Sequence, residues 1–187
     1  MPWSKDPLVW IDCEMTGLDP ETESILQIAC FVTDYNLNML EKDGFEVVIH
    51  HSAKTLDQMG EWCQKHHGDS GLTKACIASE VTHDQAATCL LDYIQKLVPK
   101  SGKALLAGNS VHADKAFLAK SPYNIVLDHL HYRILDVSSI KEAARRWAPN
   151  EVLAKAPPKL GLHEARQDII ESIEEARFYR DTFFKQT

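Results

Sequence analysis

The chain has 187 residues, 44% of them hydrophobic and 25% charged, which suits a single globular domain that spans residues 1–187. Its formal net charge of -7 excludes a protein that grips long duplexes through an overall basic face. Two alternatives remain: a protein that avoids nucleic acid, or one that handles a few nucleotides while metal ions supply positive charge locally.

The first quarter of the chain has the pattern of β-strands. Residues 8–14, 25–33 and 44–50 are each apolar enough to form a strand, and turn-forming residues separate them. Because the connections between these three strands are short, we expect an antiparallel meander.

The rest of the chain predicts helices that alternate with strands. Thr82 and Gln85 form a predicted capping box for a helix that runs through residue 97. Two further strands and four further helices are predicted at residues 104–107 and 133–137, and at residues 112–120, from 122 onward, 138–147 with Ser138 as the cap, and 164–184. Strands followed by strands interleaved with helices imply an α/β fold, in which helices flank a mixed sheet.

Asp12 and Glu14 form the first candidate for chemistry. They lie two residues apart in a predicted strand, so both side chains leave the same face of the sheet. Two adjacent carboxylates at the end of a buried strand repel each other, and a hard cation such as Mg²⁺ offsets that repulsion. The alternative interpretation is a solvated strand edge, because Asp-x-Glu occurs often by chance.

Asp114 and Asp168 are the next candidates. Asp114 shares a helix face with Phe117 and Leu118, which should draw its carboxylate toward the core, where such groups pair or bind metal. Asp168 begins the last helix beside an apolar stripe and can reach the edge of the core. For both residues, the alternative is an acid at a helix start that the helix dipole favours.

His163 lies five residues before Asp168, an offset that does not place the two side chains on one helix face. We therefore expect His163 in the loop before the helix, where it could act as a general base. The alternative is one of nine surface histidines. With the four acids, His163 matches the residues that two-metal phosphodiester cleavage requires.

These motifs resemble the oligoribonuclease family, within the DEDDh superfamily of 3′-to-5′ exonucleases. The shared features run in order along nearly the whole chain, and they are residues 12–18, Glu61-Trp62, residues 108–110, Asp114, residues 131–138, residues 141–147, and His163 with Asp168. The Tyr132-Arg133 pair is far more specific than Asp-x-Glu, and it separates this family from proofreading subunits and from other DEDDh nucleases.

The resemblance implies an RNase H-like fold, with a mixed five-stranded sheet flanked by helices, and an obligate homodimer. It implies that two divalent metal ions, Mg²⁺ or Mn²⁺, are bound by Asp12, Glu14, Asp114 and Asp168. His163 is then the base that deprotonates the attacking water.

The resemblance also implies a set of substrate-binding residues. Leu18 and Trp62 would sandwich the substrate bases by stacking, which tolerates any base. The residues expected around the terminal phosphate are His67, Ser110, Arg133, Ser138 and Lys141, with Tyr132 contributed by the second subunit. Of the adjacent histidines, the offset from Trp62 favours His67 over His66. Alternatively, Trp62 is a core residue and Tyr132 fills a strand at the dimer contact.

The implied activity is that of a metal-dependent 3′-to-5′ exoribonuclease, a phosphodiester hydrolase. It would degrade single-stranded di- to pentanucleotides to 5′-mononucleotides, because a capped 5′ phosphate leaves no room for a longer chain. Two other interpretations remain. One is a DEDDh nuclease of longer strands or structured RNA ends, and the other is a binding module that lost its chemistry. The presence of every expected ligand argues against the second.

Cysteine use and the N-terminus bear on the compartment. Five cysteines, an odd number with no Cys-x-x-Cys, favour reduced intracellular thiols and disfavour a structural zinc site. Residues 1–6 show no targeting pattern, and no apolar run approaches the roughly 18 residues of a membrane helix. We expect a cytoplasmic protein with no membrane partner, or a mitochondrial one if a presequence is removed.

Overall fold

A computed structural model describes residues 6–158 and 164–184, and within them the chain forms five strands and nine α-helices. The strands are β1 (Leu8–Met15), β2 (Ile25–Thr33), β3 (Phe45–Val48), β4 (Leu105–Gly108) and β5 (His131–Asp136). The helices are α1 (Ala53–Leu56), α2 (Glu61–Asp69), α3 (Leu72–Ala78), α4 (His83–Leu97), α5 (His112–Leu118), α6 (Asn124–His129), α7 (Val137–Trp147), α8 (Asn150–Leu153) and α9 (Ala165–Tyr179). A π-helical turn, Arg180–Phe184, continues α9.

The five strands form one mixed sheet in the order β3-β2-β1-β4-β5. The pairs β1–β2 and β2–β3 are antiparallel, which confirms the predicted meander, while β1–β4 and β4–β5 are parallel. Helices flank the sheet, so the predicted α/β fold class is confirmed. Since β1, β4 and β5 run in the same direction, the residues that follow them meet at one edge of the sheet.

The central strand β1 separates two apolar cores. Its residues Val9, Ile11 and Cys13 pack with α4, α5 and α6 on one face. On the other face, Trp10 packs against α7 and α9, and its indole Nε1–H donates to Thr33 Oγ1 over 2.9 Å. Each large apolar side chain buried in this way contributes about 1.5–3 kcal/mol, so both helix layers are held firmly to the sheet.

Several predicted boundaries differ from the structure. The capping box of α4 is confirmed, since Thr82 and Gln85 exchange side-chain and backbone hydrogen bonds. The cap of α7 was predicted wrongly: Asp136 caps this helix by accepting from the Ser138 N–H over 3.0 Å. The Ser138 hydroxyl is committed elsewhere, because it donates to Asn109 Oδ1.

The segment between β3 and α4 contains three short helices that the sequence did not predict. Helix α2, for example, is rich in charged and polar residues and has no apolar stripe of helical period. Its position follows from tertiary contacts at one end of the sheet. Over the described part of the chain, no helix combines the length and apolar character needed to cross a membrane.

Candidate active site

Three carboxylates from two elements meet at the end of β1. Asp12 and Glu14 project from the same face of β1, and Asp168 approaches from the first turn of α9. One oxygen of each group lies within 4.8 Å of the others. The buried stripe of α9, which includes Ala165, Ile169 and Ile173, packs on the Trp10 face of the sheet and thereby brings Asp168 to this position.

Asp114 reaches the same strand from the opposite core. It is buried on α5 together with Phe117 and Leu118, as the shared helix face predicts. Its Oδ1 accepts a hydrogen bond of 2.9 Å from the backbone N–H of Cys13. Strand β1 pairs with β4 only as far as Trp10, so this later N–H finds its partner in a side chain. Asp114 is thus fixed to the residue that separates Asp12 from Glu14.

The electrostatics of this cluster show an excess of negative charge. Burial, together with the charges of Asp168 and Asp114, raises the pKa of Glu14 to about 8. Burial raises the pKa of Asp114 to about 7, against the opposing effect of the hydrogen bond from Cys13. Such shifts arise where carboxylates lack compensating positive charge. The donor set consists of oxygens alone, which fits a hard divalent cation.

Of the two predicted histidines, the structure describes only His67. His163 lies outside the described residues, so its role stays a prediction. His67 is buried in α2, where its Nε2–H donates to the Met15 carbonyl over 2.9 Å and its Nδ1 lies 4.0 Å from Glu14 Oε2. His67 therefore anchors α2 to the end of β1, beside the acidic cluster.

Two apolar side chains stand exposed near this anchor point. Leu18 follows β1 and is 88% exposed, and Trp62, in the first turn of α2, is 60% exposed. The alternative that Trp62 is a core residue is therefore wrong. Its ring stacks on that of His66, with 4.3 Å between the ring centroids. Exposed apolar surface of this kind is available to flat partners such as nucleobases.

A hydrogen-bonded group joins the ends of β4 and β5. Ser110 donates its N–H to Asp136 Oδ1 and to Ser138 Oγ, each over 2.9 Å, and the two serine hydroxyls lie 3.2 Å apart. Ser138 Oγ donates to Asn109 Oδ1 over 3.0 Å. Nearby on α7, the half-exposed Lys141 forms an ion pair of 3.6 Å with Glu175. Three of the predicted phosphate-binding residues thus share one region of the surface.

Tyr132 and Arg133 lie on β5, which is an edge strand of the sheet. Tyr132 is 72% exposed, and the Arg133 guanidinium lies 5.4 Å from the centre of its ring. The structure thus places the Arg133 side chain against Tyr132, on the outer edge of the sheet. Both side chains are presented to whatever contacts that edge.

Two residues of the site escaped the sequence analysis as functional candidates. Asn109 lies within the motif of residues 108–110, and Glu175 is one of several acids in the last helix, so neither stands out in the sequence. A signal existed for Glu175, because it lies seven residues after Asp168 and so returns to the same face of α9.

Comparison with known proteins identifies the family to which the chain is similar. The family model described as "Exonuclease" matches residues 9–176. The chain is 48% identical over 179 residues to the mitochondrial oligoribonuclease of Mus musculus, covering 96% of this chain and 74% of the relative. It is 46% identical over 185 residues to the oligoribonuclease of Haemophilus influenzae, covering 99% of each.

The fold also matches a solved structure, that of E. coli exonuclease I in complex with a dA16 oligonucleotide. The TM-score is 0.67 at 14% identity, and the match covers 94% of this chain and 41% of the other. At that identity the similarity establishes the shared fold alone. It agrees with the predicted RNase H-like architecture.

Proposed function

The chain belongs to the oligoribonuclease family of exonucleases, and from that premise we propose how its own residues carry out the reaction. It is a 3′-to-5′ exoribonuclease that acts on short oligoribonucleotides. The observation that carries the assignment to these residues is the convergence of Asp12, Glu14 and Asp168 on one point. We propose that the substrates are di- to pentanucleotides and that the products are 5′-mononucleotides.

The acidic cluster is the proposed metal site. Asp12, Glu14, Asp114 and Asp168 would hold two divalent cations, Mg²⁺ or Mn²⁺, whose charge activates a water and stabilises the leaving oxygen when they are bound. The raised pKa values of Glu14 and Asp114 support this proposal, because they mark carboxylates that a cation would return to the ionised form.

His163 is the proposed general base. Its imidazole would accept the proton of the attacking water, and histidine as a residue type suits a base that works near neutral pH. The support comes from the sequence, where His163 precedes the helix that delivers Asp168 to the cluster.

The substrate would lie between the acidic cluster and the group at the ends of β4 and β5. Leu18 and Trp62 would hold its bases by stacking, which adds about 1–3 kcal/mol per base without sequence preference. At the other end, the predicted contacts to the 5′ phosphate are Ser110, Ser138, Lys141 and Arg133. His67, which was also predicted to contact that phosphate, lies beside the acidic cluster instead. A closed phosphate-binding end disfavours longer chains, and the acidic net charge suits a short substrate.

A homodimer is part of the proposal, with Tyr132 of one subunit completing the site of the other. The exposure of Tyr132 and Arg133 on an edge strand supports it, because an edge presents unpaired backbone groups and exposed side chains to a partner. Light scattering during gel filtration should give twice the chain mass of 21.1 kDa. A stable, fully active species of the monomer mass would contradict this arrangement.

The cellular compartment is proposed to be the cytoplasm, or the mitochondrion where a presequence is removed. One similar protein is the mitochondrial oligoribonuclease of Mus musculus, and another is the oligoribonuclease of Haemophilus influenzae. Cell fractionation with an antibody against the protein distinguishes the two locations, and recovery from a secreted fraction would contradict both.

The function is tested by comparing two substrates with the same 3′ end, a 5′-phosphorylated dinucleotide and a 20-mer. With Mg²⁺ or Mn²⁺ the dinucleotide should be hydrolysed with the higher kcat/KM, and a chelator should abolish the reaction. Equal or better cleavage of the 20-mer would favour a nuclease of longer strands. Binding without hydrolysis of either substrate would favour a binding module.

A further inference from the structure

Glu175 is a buried carboxylate for which the proposed reaction has no direct use. It lies on α9, on the same face as Asp168, and only 4% of its surface is exposed. Its Oε2 accepts from Asn109 Nδ2 over 3.1 Å, and its Oε1 accepts from the Tyr179 hydroxyl over 3.0 Å. The Lys141 ammonium lies 3.6 Å from the same Oε1. A carboxylate is buried at a large cost unless partners of this kind compensate it.

These contacts impose a direction on the neighbouring hydrogen bonds. An ionised carboxylate only accepts, so the NH₂ group of Asn109 must face Glu175. The same NH₂ donates to Ser172 Oγ over 2.8 Å, and Ser172 in turn donates to the Asp168 carbonyl over 2.7 Å. The carbonyl oxygen of Asn109 therefore faces Ser138, whose hydroxyl hydrogen it accepts.

The chain of hydrogen bonds ends at Ser110. Because the Ser138 hydrogen is committed to Asn109, the Ser138 oxygen presents its lone pairs to Ser110 and accepts the Ser110 N–H. Ser110 has a φ of +50°, in the left-handed region that is unfavourable for a non-glycine residue. Acceptance of its N–H by Ser138 and Asp136 holds that conformation. The Ser110 hydroxyl, which lies 3.2 Å from Ser138 Oγ, would exchange that contact for one with a ligand.

Glu175 also holds the ammonium group of Lys141 in place. The side chain of Lys141 is half-exposed, and a mobile lysine side chain loses rotamer entropy when a ligand orders it. The ion pair with Glu175 holds the ammonium in advance, which reduces what anion binding must supply.

We infer that Glu175 is a positioning residue that organises Ser110, Ser138 and Lys141 for the 5′ phosphate, and so sets the preference for 5′-phosphorylated substrates. The inference rests on the proposed function, because it takes the 5′ phosphate as the ligand of these three residues. Glu175 does not touch the substrate itself. It acts through Lys141 on one side and through Asn109 on the other.

The test is Glu175→Gln, measured on a dinucleotide with a 5′ phosphate and on the same dinucleotide with a 5′ hydroxyl. The variant should lower kcat/KM on the phosphorylated substrate about tenfold more than on the other, and mainly through KM. The matched control is Glu174→Gln, on the exposed side of the same helix, which should leave the ratio between the two substrates unchanged.

The outcomes separate this inference from the proposed function. If the wild-type protein hydrolyses both dinucleotides alike, the phosphate-binding part of the proposed function fails, and the inference fails with it. If the wild type discriminates and Glu175→Gln discriminates equally, or loses both substrates equally, only the inference is overturned. Should Glu175→Gln not fold by circular dichroism, Asn109→Ala decides, since it must show the same selective loss, and a wild-type ratio would overturn the inference.

Discussion

The acidic cluster and the group around Glu175 use the same chemical group in opposite ways. In the acidic cluster, carboxylates of β1, α5 and α9 converge, and burial together with the repulsion of Asp168 and Asp114 raises the pKa of Glu14 to about 8. Around Glu175, one carboxylate meets an amide, a phenol and an ammonium. Under the proposed function a cation completes the first region, whereas the hydrogen bonds and the ion pair of the second are already formed within the protein.

This difference shows how one helix can serve two purposes. Asp168 and Glu175 share a face of α9, yet one points to a region of excess negative charge and the other to a region of matched partners. Substitutions in the first region should therefore change catalysis and metal binding while they spare or raise stability. Substitutions in the second should change which substrates are preferred.

The largest effect is expected for Asp12→Ala. Loss of one carboxylate weakens the binding of cations that contribute several kcal/mol to the transition state, so kcat/KM on a dinucleotide should fall by about 10³-fold or more. The thermal midpoint without metal should be unchanged or higher, because a repelling charge is removed. Asp92→Asn, on the exposed face of α4, is the matched control and should behave as wild type. Wild-type hydrolysis by Asp12→Ala would contradict the metal site.

His163→Ala should produce the next largest effect. A general base contributes about 10²–10⁴-fold to the rate, and it acts in the transition state, so kcat should fall by that order while substrate affinity changes little. Single-turnover kinetics and a binding titration of the same variant separate the two quantities. A similar proportional loss of affinity and turnover would indicate a structural role for His163 instead.

The pH dependence of stability should report on the acidic cluster. The pKa of Glu14 is raised from 4.5 to about 8 in the folded protein, so folding takes up a proton between these values. Without metal, this group stabilises the fold fully below about pH 4.5, and that contribution, on the order of 5 kcal/mol, is lost as pH rises through 8.

A saturating divalent cation should reverse that trend, because it binds the ionised carboxylates. Thermal melts with Mg²⁺ and with a chelator, at matched ionic strength, should show a larger gain from Mg²⁺ at pH 8 than at pH 5.5. An equal gain at both pH values would mean that the acidic cluster is not where the cation binds.

The smallest effect is expected for Trp62→Ala. Loss of one stacking surface should raise KM for a dinucleotide about tenfold and change kcat less, because stacking contributes about 1–3 kcal/mol per base. Tyr35→Ala removes another exposed aromatic ring, distant in the sequence from the proposed site, and should leave KM unchanged. An effect on kcat alone would place Trp62 outside the substrate surface.

Those parts of the site that follow from the residue spacing of a single strand or helix could be predicted from the sequence. The shared face of Asp12 and Glu14 follows from the two-residue repeat of a strand, and the burial of Asp114 from its helical neighbours Phe117 and Leu118. The approach of α9 to β1 depends on packing against Trp10, which no local pattern specifies. The resemblance to a family supplied that part.

Other features could not be predicted because they depend on long-range partners. Serine is a common helix cap, but the Ser138 hydroxyl donates to Asn109, 29 residues earlier, and Asp136 caps the helix instead. Helices α1–α3 have few apolar residues at helical spacing, so their formation depends on contacts with the sheet. Glu175 resembles its exposed neighbours in sequence and differs only in what surrounds it.

The shared face of α9 has one more consequence, for the size of what the enzyme can hold. Seven residues at 1.5 Å each separate the Cα atoms of Asp168 and Glu175 by about 10 Å along the helix axis. Because α9 is packed along its length on the sheet, that spacing is rigid. The helix therefore fixes the distance between the proposed metal site at Asp168 and the proposed phosphate-binding region at Glu175. One residue inserted between them would rotate Glu175 by about 100° relative to Asp168, so the two side chains would no longer share a face of the helix.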